Sequence, residues 1–165
     1  MKTVFRLVLL AALAAGGFWL WTVLFPSPEK VILRKIARLA ATVTFRANDN
    51  NLTRAGKAMK LASFFAPDGQ ITFDATGYPA RTLSGRDEIK EAALAGFTGL
   101  TQLKVQFLDA TVRLGADRQT ADVSCTARVD ADGSKDYGVQ EIRFQFKKVD
   151  GDWLITLVAT VKTLS

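Results

Sequence analysis

Apolar positions recur along this chain with three different spacings, and each spacing announces a different kind of element. From Leu7 to Phe25 the run LVLLAALAAGGFWLWTVLF is apolar throughout except for Thr22. After Phe25-Pro26-Ser27-Pro28 the spacing becomes helical. Ile32, Ile36, Leu39 and Val43 share one face, which predicts a helix over about 28–46, with Ser27 as its cap and Pro28 at its first position. Asn48-Asp49-Asn50-Asn51 interrupts it. A second helix is expected over about 52–65, with Ala55, Met59, Ala62 and Phe65 on one side, and Pro67-Asp68-Gly69 closes it as a turn. Ile71 and Phe73 then alternate with Thr72 and Asp74 as a half-buried strand. Thr76-Gly77-Tyr78-Pro79 turns the chain, and residues Ala80 to Leu83 pair back. Ser84 and Asp87 stand three apart, the spacing of a capping box, and open a third helix over about 85–98 with Ile89, Ala92, Ala93 and Phe97 inward.

The remainder reads as four long strands. In the first, 101–114, Val105 and Phe107 share one parity while Leu108, Ala110, Val112 and Leu114 take the other. A strand alternates faces with period two, so the switch requires an extra residue, a bulge near Phe107–Leu108. Strand 119–130 alternates without interruption, with Ala121, Val123, Cys125, Ala127 and Val129 inward. Strand 137–149 switches again, from Tyr137 and Val139 to Ile142, Phe144 and Phe146, which predicts a second bulge at Gln140–Glu141. Asp150-Gly151 is a hairpin turn, and the last strand carries Trp153, Ile155, Leu157, Ala159 and Val161 on one face. The order predicts an α+β domain, an antiparallel sheet bent by bulges around three helices.

The run over residues 7–25 is nineteen residues long, close to a bilayer core in length. Lys2 and Arg6 precede it, as in a signal sequence, and AALAAGG offers small residues for cleavage. The continuation FWLWTVLF outlasts a signal core and favours an uncleaved anchor, with Trp19 and Trp21 near an interface. The expected division is therefore an anchor over 1–25, a linker over 26–28 and a domain over 29–165. Residues 29–60 carry eight Lys or Arg against two acids, and residues 61–165 carry twelve against fourteen. The basic excess is juxtamembrane, and Lys30, Arg34, Lys35 and Arg38 are candidate contacts to anionic headgroups; the alternative is a solvated helix face. The basic clusters lack interleaved aromatics, so no nucleic-acid partner is expected.

With no histidine, triads, zinc sites of the H-E-x-x-H type and most transition-metal sites are excluded, and the single Cys125 has no internal disulfide partner. Asp130 to Glu141, DADGSKDYGVQE, has the acid spacing of a calcium loop, but Lys135 stands at its obligatory glycine and strands flank it. A polar hairpin tip is expected, with no metal and no cofactor.

The element order, together with FFAPDGQITFD, SGRDEIKEA and the final VDGDWLITLV, resembles the nuclear transport factor 2-like superfamily, in its SnoaL-like and ketosteroid-isomerase-like branches. The resemblance covers about residues 29–165. It implies a cone-shaped curved sheet with a pocket between sheet and helices, in a family of isomerases, cyclases and dehydratases but also of binding and assembly modules. Some members are single-span bacterial inner-membrane proteins with the cone outside. The short N-terminal tail before the apolar run is expected to stay inside, which puts the domain on the periplasmic side, while the nearly balanced basic flanks leave the cytoplasmic side open.

The family's isomerases place a general-base Asp on the first strand, two residues after an inward apolar one; that position here is Phe73. Asp74 falls on the opposite parity. Their helical tyrosine has no counterpart, and their dehydratases use the histidine this chain lacks. The expected role is therefore non-catalytic: binding a small apolar ligand or a protein partner near the membrane. Phe73, Tyr78, Cys125, Phe144 and Phe146 are the candidate pocket residues. The alternative is an isomerase or hydrolase using Asp74 at the pocket rim or Glu141 at the second bulge. A subunit dimerising through its sheet is a third reading, weakened by the polar outer positions Asp122, Ser124, Thr126 and Arg128.

Overall fold

The computed structural model describes residues 27–73, 80–132 and 138–161. The expected anchor over 7–25, Asp74, Tyr78 and Tyr137 lie outside them. Among the described residues no helix is long and apolar enough to cross a membrane. By internal contacts the chain divides into Met1–Val31 and Ile32–Ser165. Of the first unit only 27–31, which includes the opening of the first helix, is described.

The described elements follow the expected order: α1 (Pro28–Val43), α2 (Asn51–Ser63), β1 (Phe65–Phe73), β2 (Arg81–Ser84), α3 (Gly85–Gly99), β3 (Leu103–Leu114), β4 (Thr120–Ala131), β5 (Gly138–Val149) and β6 (Asp152–Thr160). The strands form one sheet in the order β2-β1-β6-β5-β4-β3. It is mixed rather than wholly antiparallel, because β1 runs parallel to β6. Alternation along a strand records which side chains face inward and carries nothing about the direction of its neighbour.

Helix α1 buries Ile32, Ile36, Leu39 and Thr42. It ends three residues earlier than its apolar spacing suggests. The Phe45 N–H leaves the helix to bond the Leu103 carbonyl at 2.8 Å, and Leu103 returns the bond at 3.0 Å. The Thr44 hydroxyl secures the exit by accepting the Val105 N–H at 3.1 Å. Helix α2 is capped by Asn50, whose side chain accepts the Thr53 N–H. It buries Ala58 and Ala62. Met59, expected inward, is 59% exposed, and Phe65 belongs to β1.

Pro67-Asp68-Gly69 is not a turn between elements but an irregularity within β1, between Phe65 and Gln70. A Cβ on Gly69 would stand 3.0 Å from both the Ile155 carbonyl and the Phe65 Cβ, so the glycine lets β1 lie close to β6 without pushing the backbone aside. At α3 the Ser84 side chain makes no cap. The Glu88 carboxylate instead accepts the Ser84 N–H at 2.8 Å, and Gly85 takes φ +80°, which its missing Cβ permits. Asp87 pairs with Lys90.

The bulge in β3 falls between Leu108 and Thr111, one step later than expected, with Asp109 at φ 54°. Leu108 is thereby 42% exposed, while Ala110, Val112 and Leu114 turn inward with Val105 and Phe107. The expected bulge at Gln140–Glu141 does not exist, since β4 and β5 pair without a shift. Val139 points outward at 58% exposure, and Gln140 continues the inward parity. Its amide is satisfied there by the Val161 carbonyl at 2.7 Å. The sheet's second bend is in β6, where the register shifts opposite Gln145–Phe146. Trp153 and Ile155 face inward, but Val158, opposite Phe144, replaces the expected Leu157 and Ala159.

The interior is filled by Phe65, Phe144, Phe146, Ile32, Ile89, Ile155 and Val123, all fully buried. A smaller cluster, Phe45, Ala58 and Phe97, packs beside it with Val43, Leu61, Ala93, Leu94, Leu100 and Leu103.

Candidate functional site

Beyond that smaller cluster the space between helices and sheet is not filled. Leu61 of α2, Ile71 and Phe73 of β1 and Leu83 of β2 wall a cleft of about 330 Å³. Ile89, Ala92, Ala93, Gly96 and Phe97 of α3 face them, with Leu100 and Leu103 completing the lining. The α3 positions fall on successive turns of one helix face. The middle of that face is small: Ala92, Ala93 and Gly96 lie between Ile89 and Phe97. A Cβ added at Gly96 would meet nothing within 4 Å. Ile71 is opposite Leu83 and Phe73 opposite Arg81, so the two strands present one continuous wall. Phe73 is 47% exposed, as a side chain at an opening must be.

Among the described residues the lining holds no carboxylate and one charged side chain, Arg81. The cleft lies at the low end of the size range for small-molecule sites, and its predominantly apolar wall is of the kind that such sites have.

The α2–α3 side of the cleft is held by hydrogen bonds. Arg54 donates to the carbonyls of Phe97 (2.8 Å), Leu100 (2.6 Å), Thr101 (2.8 Å) and Asp49 (3.1 Å), with its guanidinium 4.6 Å from the centroid of the Phe45 ring. The Phe97 carbonyl lies in the last turn of α3 and those of Leu100 and Thr101 just beyond it, where no further helical N–H follows to donate, so one planar fork satisfies what the helix end leaves open. Lys57 donates to the Thr44 carbonyl and to Asp49, and its hydrogen bond holds the Asp49 carboxyl below the ordinary carboxylate value.

The sequence-predicted site residues divide sharply. Phe73 lines the cleft; Tyr78 and Asp74 lie outside the described residues. Phe144 and Phe146 are each 1% exposed and belong to the filled core, Phe144 meeting Phe107 edge-on at 5.3 Å. Cys125 is buried on β4 and borders a different depression, about 260 Å³, with Thr111, Ser124, Glu141 and Arg143. Burial pushes its thiol up to about 11, so it is protonated and unreactive near neutrality. Glu141 is exposed on the outer side of β5, opposite Thr126, with no bulge to turn it inward.

Of the basic set on α1, Lys30, Arg34 and Arg38 are exposed. Lys35 is not available in the same way: its ammonium pairs with Asp152 at 2.9 Å, and its side chain is only 14% exposed. Sequence reasoning missed Arg81 and the cleft wall of α3. The run Ala92-Ala93-Leu94-Ala95-Gly96 was the available signal, since small residues on an inward face leave volume unfilled.

Residues 36–159 match the model of the SnoaL-like domain. The chain belongs to that family. Its fold is shared with solved structures of low identity. A nuclear transport factor 2-like protein with a cystatin-like fold from Novosphingobium aromaticivorans is 22% identical, with a TM-score of 0.62 over 92% of this chain and 88% of that one. A nuclear transport factor 2-like protein of unknown function from Pseudomonas putida KT2440 is 13% identical, with a TM-score of 0.66 over 83% and 87%. A second Novosphingobium aromaticivorans protein, whose name likens it to scytalone dehydratase, is 16% identical, with a TM-score of 0.59 over 82% and 83%. At these identities the likeness establishes a cystatin-like fold and nothing finer. None of the curated proteins matches the sequence.

Proposed function

We propose that this SnoaL-like domain binds a small apolar ligand in the cleft between α2, α3, β1 and β2 without transforming it, close to a membrane to which residues 7–25 hold it on the periplasmic side. One observation carries the reading: a cleft of about 330 Å³ whose described lining is apolar but for Arg81 and contains no acid or base suited to proton transfer. The dehydratase suggested by one neighbour's name draws no support from a chain without histidine. Glu141, the described member of the catalytic alternative, lies on the other side of the sheet.

The test uses the full chain in a non-ionic detergent, with 4-phenylbutanol as a neutral apolar probe and the Ile71 and Ile89 methyl resonances as reporters. Saturable shifts at both methyls are expected, and the double substitution Ala92→Leu with Gly96→Leu should abolish them by filling the space. Binding that survives the filled cleft, or chemical conversion of the probe, would reject the reading. Sedimentation of the full chain with membranes after carbonate washing tests the anchor; loss of residues 7–25 should release the domain.

A further inference from the structure

We infer that the cleft selects an anionic amphiphile: a small apolar monocarboxylic acid, its hydrocarbon body against α3 and β1 and its carboxylate on Arg81. The inference rests on the cleft being a ligand site and adds the ligand's charge.

Arg81 is placed for this by register. It opens β2 directly opposite Phe73, and the two side chains share a face at the end of the strand pair that borders the cleft. The neighbouring arginines have structural partners. Arg86 donates to the Phe65 carbonyl at 2.7 Å, and Arg54 is spent on the carbonyls at the end of α3. Described carboxylates that meet a cation do so elsewhere, Asp49 on Lys57, Asp87 on Lys90 and Asp152 on Lys35. Among the described residues Arg81 has no such partner, and it is exposed.

A guanidinium fork matches a carboxylate in shape and charge. The apolar wall beside it lowers the local dielectric and strengthens the bond relative to open water. The same wall gives a hydrocarbon body its burial. A cationic ligand would meet like charge at the rim. A phosphate monoester would bring about two charges to a single guanidinium, with no second basic side chain among the described lining residues. One negative charge on an apolar body is the complement that remains.

The experiment compares 4-phenylbutyrate with its near-isostere 4-phenylbutyramide on the full chain in non-ionic detergent at low salt, read at the Ile71 and Ile89 methyls. The acid should bind about tenfold more tightly than the amide, the range for one charge-assisted hydrogen bond. Arg81→Gln should abolish that preference by weakening the acid far more than the amide, and added salt should narrow it in the wild type. Arg81 is exposed, and an unaltered methyl spectrum elsewhere will show that the variant is folded. Equal affinities in the wild type, or a preference that persists in Arg81→Gln, would overturn the inference and leave the apolar-ligand reading standing. Absence of shifts with both compounds would overturn both.

Discussion

The two ends of the space between helices and sheet are both predominantly apolar and differ in what occupies them. At one end Phe65, Phe144, Phe146, Ile32, Ile155 and Val123 are all fully buried, and no surface is left. At the other, Ala92, Ala93 and Gly96 face Ile71 and Phe73 across an opening. Hydrophobicity alone does not decide whether such a space becomes core or site; side-chain size on the facing elements does. The means of cohesion differ correspondingly. The filled end is held by packing. The hollow end has only the smaller cluster around Phe45 and Phe97, and there Arg54, Lys57 and Asp49 also join α2 to the end of α3 and to the α1–α2 connection through hydrogen bonds.

Truncating an aromatic at each end should expose the contrast most strongly. Phe144→Ala leaves a cavity that its neighbours cannot refill, with an expected loss of about 3–5 kcal/mol in urea unfolding. Phe73→Ala, at a half-exposed position, should cost about 1 kcal/mol or less while weakening 4-phenylbutanol binding. Similar losses at the two positions would show that the hollow end is packed after all.

A smaller effect separates packing from hydrogen bonding. Arg54→Ala removes a fork that satisfies three carbonyls at the end of α3, with an expected loss of about 2 kcal/mol. Arg54→Lys should recover little of it, because an ammonium cannot reproduce the planar geometry. The methyl spectrum of Ile89 should shift more than that of Ile155. Full recovery by lysine would mean that charge over the Phe45 ring, rather than the fork, holds this corner.

The smallest effect is a pH dependence at the same corner. The Lys57 ammonium holds Asp49 below its ordinary value of 3.8, so the protonated form is favoured less in the folded chain than in the unfolded one. Its contribution is therefore complete above that value and fades as the pH falls through the lower folded value. Amides at the α1–α2 connection should lose hydrogen-exchange protection on acidification before those of β4 and β5, and Lys57→Met should remove the difference.

The order of elements was legible because spacing and turn residues are local properties. So was the bulge in β3, to within a residue or two, because apolar side chains lie on both sides of the parity switch. The same rule misled in β5. Gln140 reads as an outward polar residue, and the Val161 carbonyl that satisfies it inside lies twenty-one positions away. In β6 the true bulge is concealed because Leu157 and Val158 are both apolar, and either could face inward. Lys35 reads as solvated for a similar reason, since its partner Asp152 is 117 residues distant. The cleft was the least legible feature. Its volume arises from how α3 faces β1 and β2, and no single stretch of sequence contains both surfaces.

The parallel pairing of β1 with β6 also bears on synthesis. Phe65 finds its strand neighbour at Ile155, near the end of the described chain. The cleft's helices and its β1–β2 hairpin therefore leave the ribosome well before the strand that joins them to the rest of the sheet. Until β6 emerges, one edge of β1 has no strand beside it and Ile71 has no finished wall behind it. Folding of this domain must wait until β6 has been made, and the non-local contacts that close the sheet make that step slow.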